Sequence, residues 1–131
     1  MPQIAPVTLT DRESTPVAHI FTPQEIKDGV GILANTVGVP VGNERLGVSM
    51  RYTGSRYKAT VTLQVPIVQN EVINGVSYPK VIRTAYAEVN LTFANTSTLQ
   101  ERRNLVGMLQ SALASNQALM NPVLTELQSV Y

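Results

Sequence analysis

The chain contains no cysteine and a single histidine among its 131 residues. Disulfides, thiolate catalysis and cysteine-ligated zinc or iron–sulfur sites are therefore excluded, and His19 alone cannot supply a multi-histidine metal site. Tryptophan is absent as well. With only Phe21, Phe93 and five tyrosines, aliphatic residues and alanine must furnish most of any core. Charged residues make up 15% of the chain, against roughly a quarter in soluble domains. So few charges leave part of the surface to be covered by a partner, and self-association is the first expectation. No apolar run approaches the roughly 18 residues of a membrane span. Residues 1–10 lack the charged start and apolar stretch of a signal peptide, so a soluble protein made inside a cell, without membrane contact, is expected. In that setting the sequons Asn90-Leu-Thr92 and Asn95-Thr-Ser97 are read as chance.

What is present is 44% hydrophobic residues in a length that suits one domain, 1–131. Such a chain buries about two-thirds of its unfolded surface. The formal charge of +1 conceals an uneven distribution. Between positions 45 and 83 lie Arg45, Arg51, Arg56, Lys58, Lys80 and Arg83, opposed by Glu71 alone, while the rest of the chain is net acidic. A basic region confined to one set of elements suits an anionic partner, although solvated strand edges look the same in sequence.

That basic middle alternates with a period of two, the mark of a strand with one apolar and one polar face. Leu46, Val48 and Met50 share one phase, and Arg45, Gly47, Ser49 and Arg51 the other. After the turn cluster Thr53-Gly54-Ser55, Lys58, Thr60, Thr62 and Gln64 alternate with Ala59, Val61, Leu63 and Val65, until Pro66 is expected to stop the ladder. Residues 66–79 contain Asn74-Gly75 and read either as a hairpin excursion or as a protruding loop, and the loop is the expectation. A third strand sets Thr84, Tyr86, Glu88, Asn90 and Thr92 against Ala85, Ala87, Val89, Leu91 and Phe93. Sheet is expected over 39–93.

Helical spacing begins at Thr98-Leu-Gln-Glu101, which has capping-box form. Leu99, Arg102, Val106, Leu109 and Leu113 follow at 3.6-residue intervals, with Leu105, Met108 and Ala112 beside them. Ser115-Asn116 ends or bends this helix, and Asn121-Pro122 opens a second with Val123, Leu124 and Leu127, so helices are expected within 98–128. Toward the N-terminus, Val7-Thr-Leu9 and Val17-Ala-His-Ile20 flank a polar loop, a hairpin within 1–21. Thr22-Pro23-Gln-Glu25 reads as a short helical turn. Gly29, Gly31 and Gly38 then indicate connecting structure up to a short strand near Val39 to Val41.

Strands followed by helices give an α+β fold, an antiparallel sheet covered on one face. The uncovered face carries Arg45, Ser49, Arg51, Lys58, Thr60, Thr62, Gln64, Tyr86, Glu88 and Asn90. Cations there can meet phosphates, hydroxyls and amides can bond directionally, and the Tyr86 ring can stack on an unpaired base, which together suit RNA. The competing reading is that threonine-rich strand faces are common because β-branched residues fit a pleated surface. Two short helices are too small to cover such a sheet, so a two-fold partner is expected to complete it. An enzyme is not expected. No nucleophile motif flanks His19, which reads as structural, and Asp11 and Glu13 read as solvated charges of a turn.

Arg83-Thr-Ala-Tyr-Ala-Glu-Val89, Phe93, the Thr98-x-x-Glu101-Arg102 helix start, Leu113-Ala-Ser115 and the final Tyr131 together resemble the coat proteins of single-stranded RNA bacteriophages, most of all the phage Q-beta group. Asn43-Glu-Arg45 and Tyr57-Lys58 extend the likeness over 45–131. The resemblance implies an N-terminal hairpin, a five-stranded antiparallel sheet and two C-terminal helices. It further implies an intertwined dimer with a continuous ten-stranded sheet, building an icosahedral shell around the genomic RNA in a bacterial cytoplasm. An RNA stem-loop at the replicase start would bind the inward sheet face and repress translation, with no cofactor or metal. On this likeness Tyr86 is the stacking tyrosine, and Glu88 takes the next same-face position, where relatives carry Asp or Asn. Lys58, Thr60 and Thr62, with Ser49, Arg51 and Arg45, would contact the hairpin, and Asn90 lies on the same face. Gly47 departs from a hydroxyl in relatives, the turn at 53–55 is short, and 66–79 lacks the cysteines that crosslink capsomers in that group. A dimeric RNA-binding sheet that forms no shell is the other reading.

Overall fold

The computed structural model describes residues 2–36 and 42–131. The expected strand near Val39 to Val41 lies outside the described residues. Two compact units divide the chain, Met1–Thr92 and Phe93–Tyr131. The first is a six-stranded meander in which sequence neighbours are sheet neighbours, β1(Val7–Thr10), β2(Ala18–Lys27), β3(Val30–Asn35), β4(Glu44–Thr53), β5(Arg56–Ile73) and β6(Val76–Ala94). The α+β class is as expected, with six strands rather than five, because β2 is long enough to serve two pairings. Its first half pairs with β1, from Val7↔Phe21 to Thr10↔Ala18, and its second half pairs with β3.

Residues 22–25 are thus extended, not helical. Pro23 has no N–H to give to a ladder, and the register shifts between Pro23 and Glu25, a bulge that lets the strand continue. The segment after it is a hairpin rather than connecting structure. Asp28 and Gly29, at φ 53° and 77°, make the reversal, the left-handed pair that a two-residue β-turn requires. Residues 66–79 behave in the same way: Asn74 and Gly75, at φ 52° and 79°, turn β5 into β6, and the expected loop is a hairpin. Pro66 does not end β5. Arg45 faces Gln64 near the beginning of β4, so Pro66 has already passed the end of β4 and needs no N–H on that side. Across the hairpin the Tyr78 hydroxyl donates to Glu71 Oε2 at 2.9 Å, and Lys80 Nζ lies 3.4 Å from Glu71 Oε1.

The core follows from the apolar phase. Leu33 faces Leu46, which faces Leu63, and Phe21 joins them with Ile4, Val7 and Val61 packed around. Ile4 lies so close over Gly31 that a Cβ there would come within 3.3 Å of its Cδ1, which is why this strand position has no side chain. Burial fades along β4, from 6% exposure at Leu46 to 45% at Val48, 58% at Met50 and 56% at Tyr52, although all four share one phase. Each fully buried aliphatic side chain contributes about 1.5–3 kcal/mol. The core therefore stabilises chiefly the end of the sheet nearest the N-terminal hairpin. The apolar phase at the other end, where the Tyr52 and Tyr57 rings pair at 4.6 Å, is left open in a single chain.

In the second unit, α1(Leu99–Ala112) begins with the reciprocal bonds anticipated from sequence: Thr98 Oγ1 accepts from the Glu101 amide and Glu101 accepts from the Thr98 amide. The Arg102 guanidinium ties back to the Ser97 carbonyl at 2.6 Å. The shorter α2(Met120–Thr125) has Pro122 in its first turn, where a missing N–H costs nothing. Leu127 lies beyond it at φ 58° rather than on its stripe. Neither helix contains a buried residue. Among the described residues no helix is long and apolar enough to cross a membrane.

Candidate nucleic-acid interface

Strand register decides which side chains share a surface. Opposite one another on β4 and β5 stand Arg45 and Gln64, Gly47 and Thr62, Ser49 and Thr60, and Arg51 and Lys58. These are the polar phase of both strands, so the face expected from alternation forms. β6 joins it through Asn90, whose Oδ1 accepts from Thr60 Oγ1 at 3.0 Å. Asn90 Nδ2 in turn donates to Glu88 Oε1 at 3.0 Å. All nine sequence-predicted residues, Arg45, Ser49, Arg51, Lys58, Thr60, Thr62, Tyr86, Glu88 and Asn90, thus lie on three adjacent strands.

Two shallow depressions mark this face and share Gly47 and Thr62. One, of about 240 Å³, is lined by Val30, Ser49, Arg51, Lys58 and Thr60 besides those two. The other, of about 270 Å³, brings Arg45, Gln64, Tyr86 and Glu88 together. Sequence reasoning placed Gln64 on this face and left Val30 and Gly47 out of it. The signal for Gly47 was a glycine in the polar phase of an otherwise regular strand. Its reason is steric: a Cβ would lie 2.6 Å from Thr62 Oγ1, so the threonine hydroxyl occupies the space that a side chain would take.

The electrostatics are one-sided. Arg51 and Lys58 are direct cross-strand neighbours, an arrangement of like charges that destabilises a sheet unless an anion lies between them. Among the described residues, Arg45, Arg51, Arg56 and Lys58 form no ion pair. The basic middle seen in sequence also divides. Lys80 is engaged by Glu71, and Arg83 stands in the other phase of β6 from Tyr86. Tyr86 is 76% exposed, so its ring is open to a ligand.

A second cluster went unseen in the sequence. His19 on β2 lies between two carboxylates, with Nε2 2.7 Å from Asp11 Oδ2 and Nδ1 2.7 Å from Glu44 Oε1. Glu44 is 8% exposed and also accepts from Asn35 Nδ2 at 2.7 Å. Both ring nitrogens face acceptors, which describes an imidazolium. The Asp11 hydrogen bond, and after it that of Glu44, raises the His19 pKa above its ordinary value. Asp11 is held below its own, first by His19 and then by the Val17 amide. Asp11 is therefore not a merely solvated turn charge. It closes the β1–β2 loop and joins it through His19 to β4, consistent with a structural role for the histidine. Among the described residues no group of three His, Cys, Asp or Glu is disposed to hold a metal ion.

Against known proteins, a family profile described as levivirus coat protein matches residues 2–131. The capsid protein of Pseudomonas phage PRR1 is 42% identical over 130 residues, covering 98% of this chain and 99% of its own. Among solved structures, the virus-like particle of bacteriophage ESE058 superposes with a TM-score of 0.85 at 23% identity, over 99% of this chain and 100% of that one. An unassembled virus coat protein dimer, a bacteriophage RNA-binding dimer, superposes at 0.66 and 19% identity over 98% of each chain.

Proposed function

The chain belongs to the levivirus coat protein family, and from that premise we propose that it dimerises, assembles into an icosahedral shell around single-stranded RNA, and holds an RNA stem-loop on the polar face of β4, β5 and β6. The virion is its destination and a bacterial cytoplasm its place of assembly. Binding of the stem-loop represses replicase translation by occupying the start site.

The observation that carries the RNA reading is the cross-strand pair Arg51 and Lys58 beside an outward Tyr86. Cations in register supply phosphate contacts, and an exposed ring supplies a stacking platform for an unpaired base. Self-association is supported by the open apolar phase at Val48, Met50 and Tyr52 and by the exposed Leu105, Val106, Met108 and Leu124 of the helices. Exposed apolar area on this scale in a low-charge chain calls for a partner subunit.

Electron microscopy of protein expressed in bacteria, with the 260/280 nm absorbance ratio of purified particles, tests assembly and packaging together. Closed particles containing nucleic acid are expected. A small dimer without shells would instead support a dimeric RNA-binding sheet. For the face itself, Tyr86→Ala should weaken hairpin binding by about 1–3 kcal/mol while leaving particles intact. Failure of the variant to form particles, with hairpin affinity of the dimer unchanged, would remove Tyr86 from the RNA face.

A further inference from the structure

His19, Asn35 and Glu44 continue the core row in polar form. Each stands two residues along its strand from Phe21, Leu33 or Leu46, in the phase that builds the core. Polar groups in that phase are costly unless fully bonded, and here they are bonded through one ring. His19 Nδ1 lies 2.7 Å from Glu44 Oε1, which Asn35 Nδ2 also reaches at 2.7 Å, and His19 Nε2 lies 2.7 Å from Asp11 Oδ2. The other Asp11 oxygen, Oδ1, accepts from the Glu13 amide at 3.2 Å and the Val17 amide at 2.9 Å. One carboxylate thus ties the loop 11–17 to itself and to β2. The groups that face the ring are Asp11 from this loop, Glu44 from β4 and the Asn35 amide from β3, 3.5 Å from Nδ1, with the apolar Leu9 opposite on β1.

The two carboxylates are not equivalent. An imidazolium donates to both, but a neutral ring has a single N–H and must turn a lone pair toward one of them. Glu44 is buried and cannot be rehydrated in place, whereas the Asp11 side chain is 31% exposed and can exchange the ring for water. The remaining N–H therefore stays on Nδ1 with Glu44, and Nε2 presents a lone pair to an anionic oxygen. That contact is repulsive, and turning the carboxylate away from it also withdraws Oδ1 from the amides of Glu13 and Val17. We propose that His19 is a proton-operated latch on the N-terminal hairpin: when the ring loses its proton, Asp11 and the loop 11–17 are released from β2, while the junction of His19 with Glu44 and Asn35 stays closed.

Hydrogen–deuterium exchange of the purified full-length protein, corrected for the intrinsic rate at each pH, tests the latch. Both carboxylates raise the His19 pKa, so the transition should have its midpoint above the ordinary 6.5. Through it, protection of the loop 11–17 should fall about tenfold, the loss of roughly one charge-assisted hydrogen bond, while the amides of β3 and β4 keep theirs. Nitrogen NMR of the ring should find the neutral form protonated on Nδ1. Asp11→Asn keeps an acceptor for the loop amides and adds a donor for the Nε2 lone pair, so its loop should stay protected at alkaline pH. A wild-type loop equally protected on both sides of the His19 titration would overturn the proposal, as would a neutral ring carrying its proton on Nε2. An Asp11→Asn variant that keeps the wild-type step would do the same. Protection lost from β3 and β4 together with the loop would mean general loosening, not a latch. The exchange profile and the ring NMR of wild type decide the question without the variant.

Discussion

Replacing Arg51 with glutamine separates two consequences of one contact. In the free sheet Arg51 and Lys58 are directly opposed, and no carboxylate pairs with either among the described residues. Like charges in that position cost a few tenths of a kcal/mol up to about 1 kcal/mol, the low end applying here because both side chains are exposed and can splay. Arg51→Gln should therefore stabilise the RNA-free protein slightly, and the gain should vanish in salt strong enough to shorten the screening length to about 3 Å. Toward RNA the sign reverses. Each phosphate contact on a single strand contributes about 0.7 to the slope of log affinity against log salt, so losing one makes the slope shallower by that amount. Over a fourfold rise in salt, the variant should lose about 2.5-fold less affinity than wild type. Denaturant unfolding of the RNA-free dimer and fluorescence anisotropy with a hairpin RNA between 50 and 200 mM salt measure the two effects. An unchanged salt slope, or a loss of stability in the free protein, would refute the view that these cations are held in mutual repulsion for a phosphate.

The His19 cluster should make the N-terminal hairpin sensitive to pH in both directions. Because the His19 pKa is raised, its contribution to stability is complete below its ordinary value of 6.5 and is lost as pH rises through the folded value. Because the Asp11 pKa is lowered, its contribution is complete above the ordinary 3.8 and is lost as pH falls through the folded value. A proton NMR titration should place His19 above 6.5, and the stability difference between wild type and His19→Gln should shrink on the alkaline side; a midpoint at or below 6.5 would contradict the geometry. Leu46→Ala removes a side chain with 6% exposure that touches Phe21 and Leu33, and should cost about 2–5 kcal/mol in denaturant unfolding. Since so few residues are buried in the single chain, that loss should also lower the yield of particles.

Legibility in the sequence tracked the range of the interaction. The capping box at Thr98 and Glu101 spans three residues and could be read directly. The polar phase of β4 and β5 was equally plain, because alternation is a property of neighbours in the chain. The two hairpins at Asp28-Gly29 and Asn74-Gly75 were undervalued, although both dipeptides favour the left-handed turn they adopt. Gly29 counted, with Gly31 and Gly38, toward connecting structure, and between hairpin and loop for residues 66–79 the loop was the expectation. In the folded sheet Pro23 sits at a register shift and Pro66 beyond the end of β4, so neither interrupts a ladder. The pairing of His19 with Glu44, 25 residues away, left no local trace at all.

Periodicity and turn chemistry, which depend on how each residue's backbone and side chain relate to the next few, determined from sequence alone that this chain makes strands with a cationic, hydroxyl-rich face and then helices. Tertiary structure alone decided which strands are neighbours and in what register. It is register that sets Arg51 against Lys58, lays the Thr62 hydroxyl over Gly47, and brings Thr60 to Asn90 across β5 and β6. Hydrogen bonds between strands and the burial of Phe21, Leu33 and Leu46 fix that register, and these are contacts between residues that the linear order keeps apart.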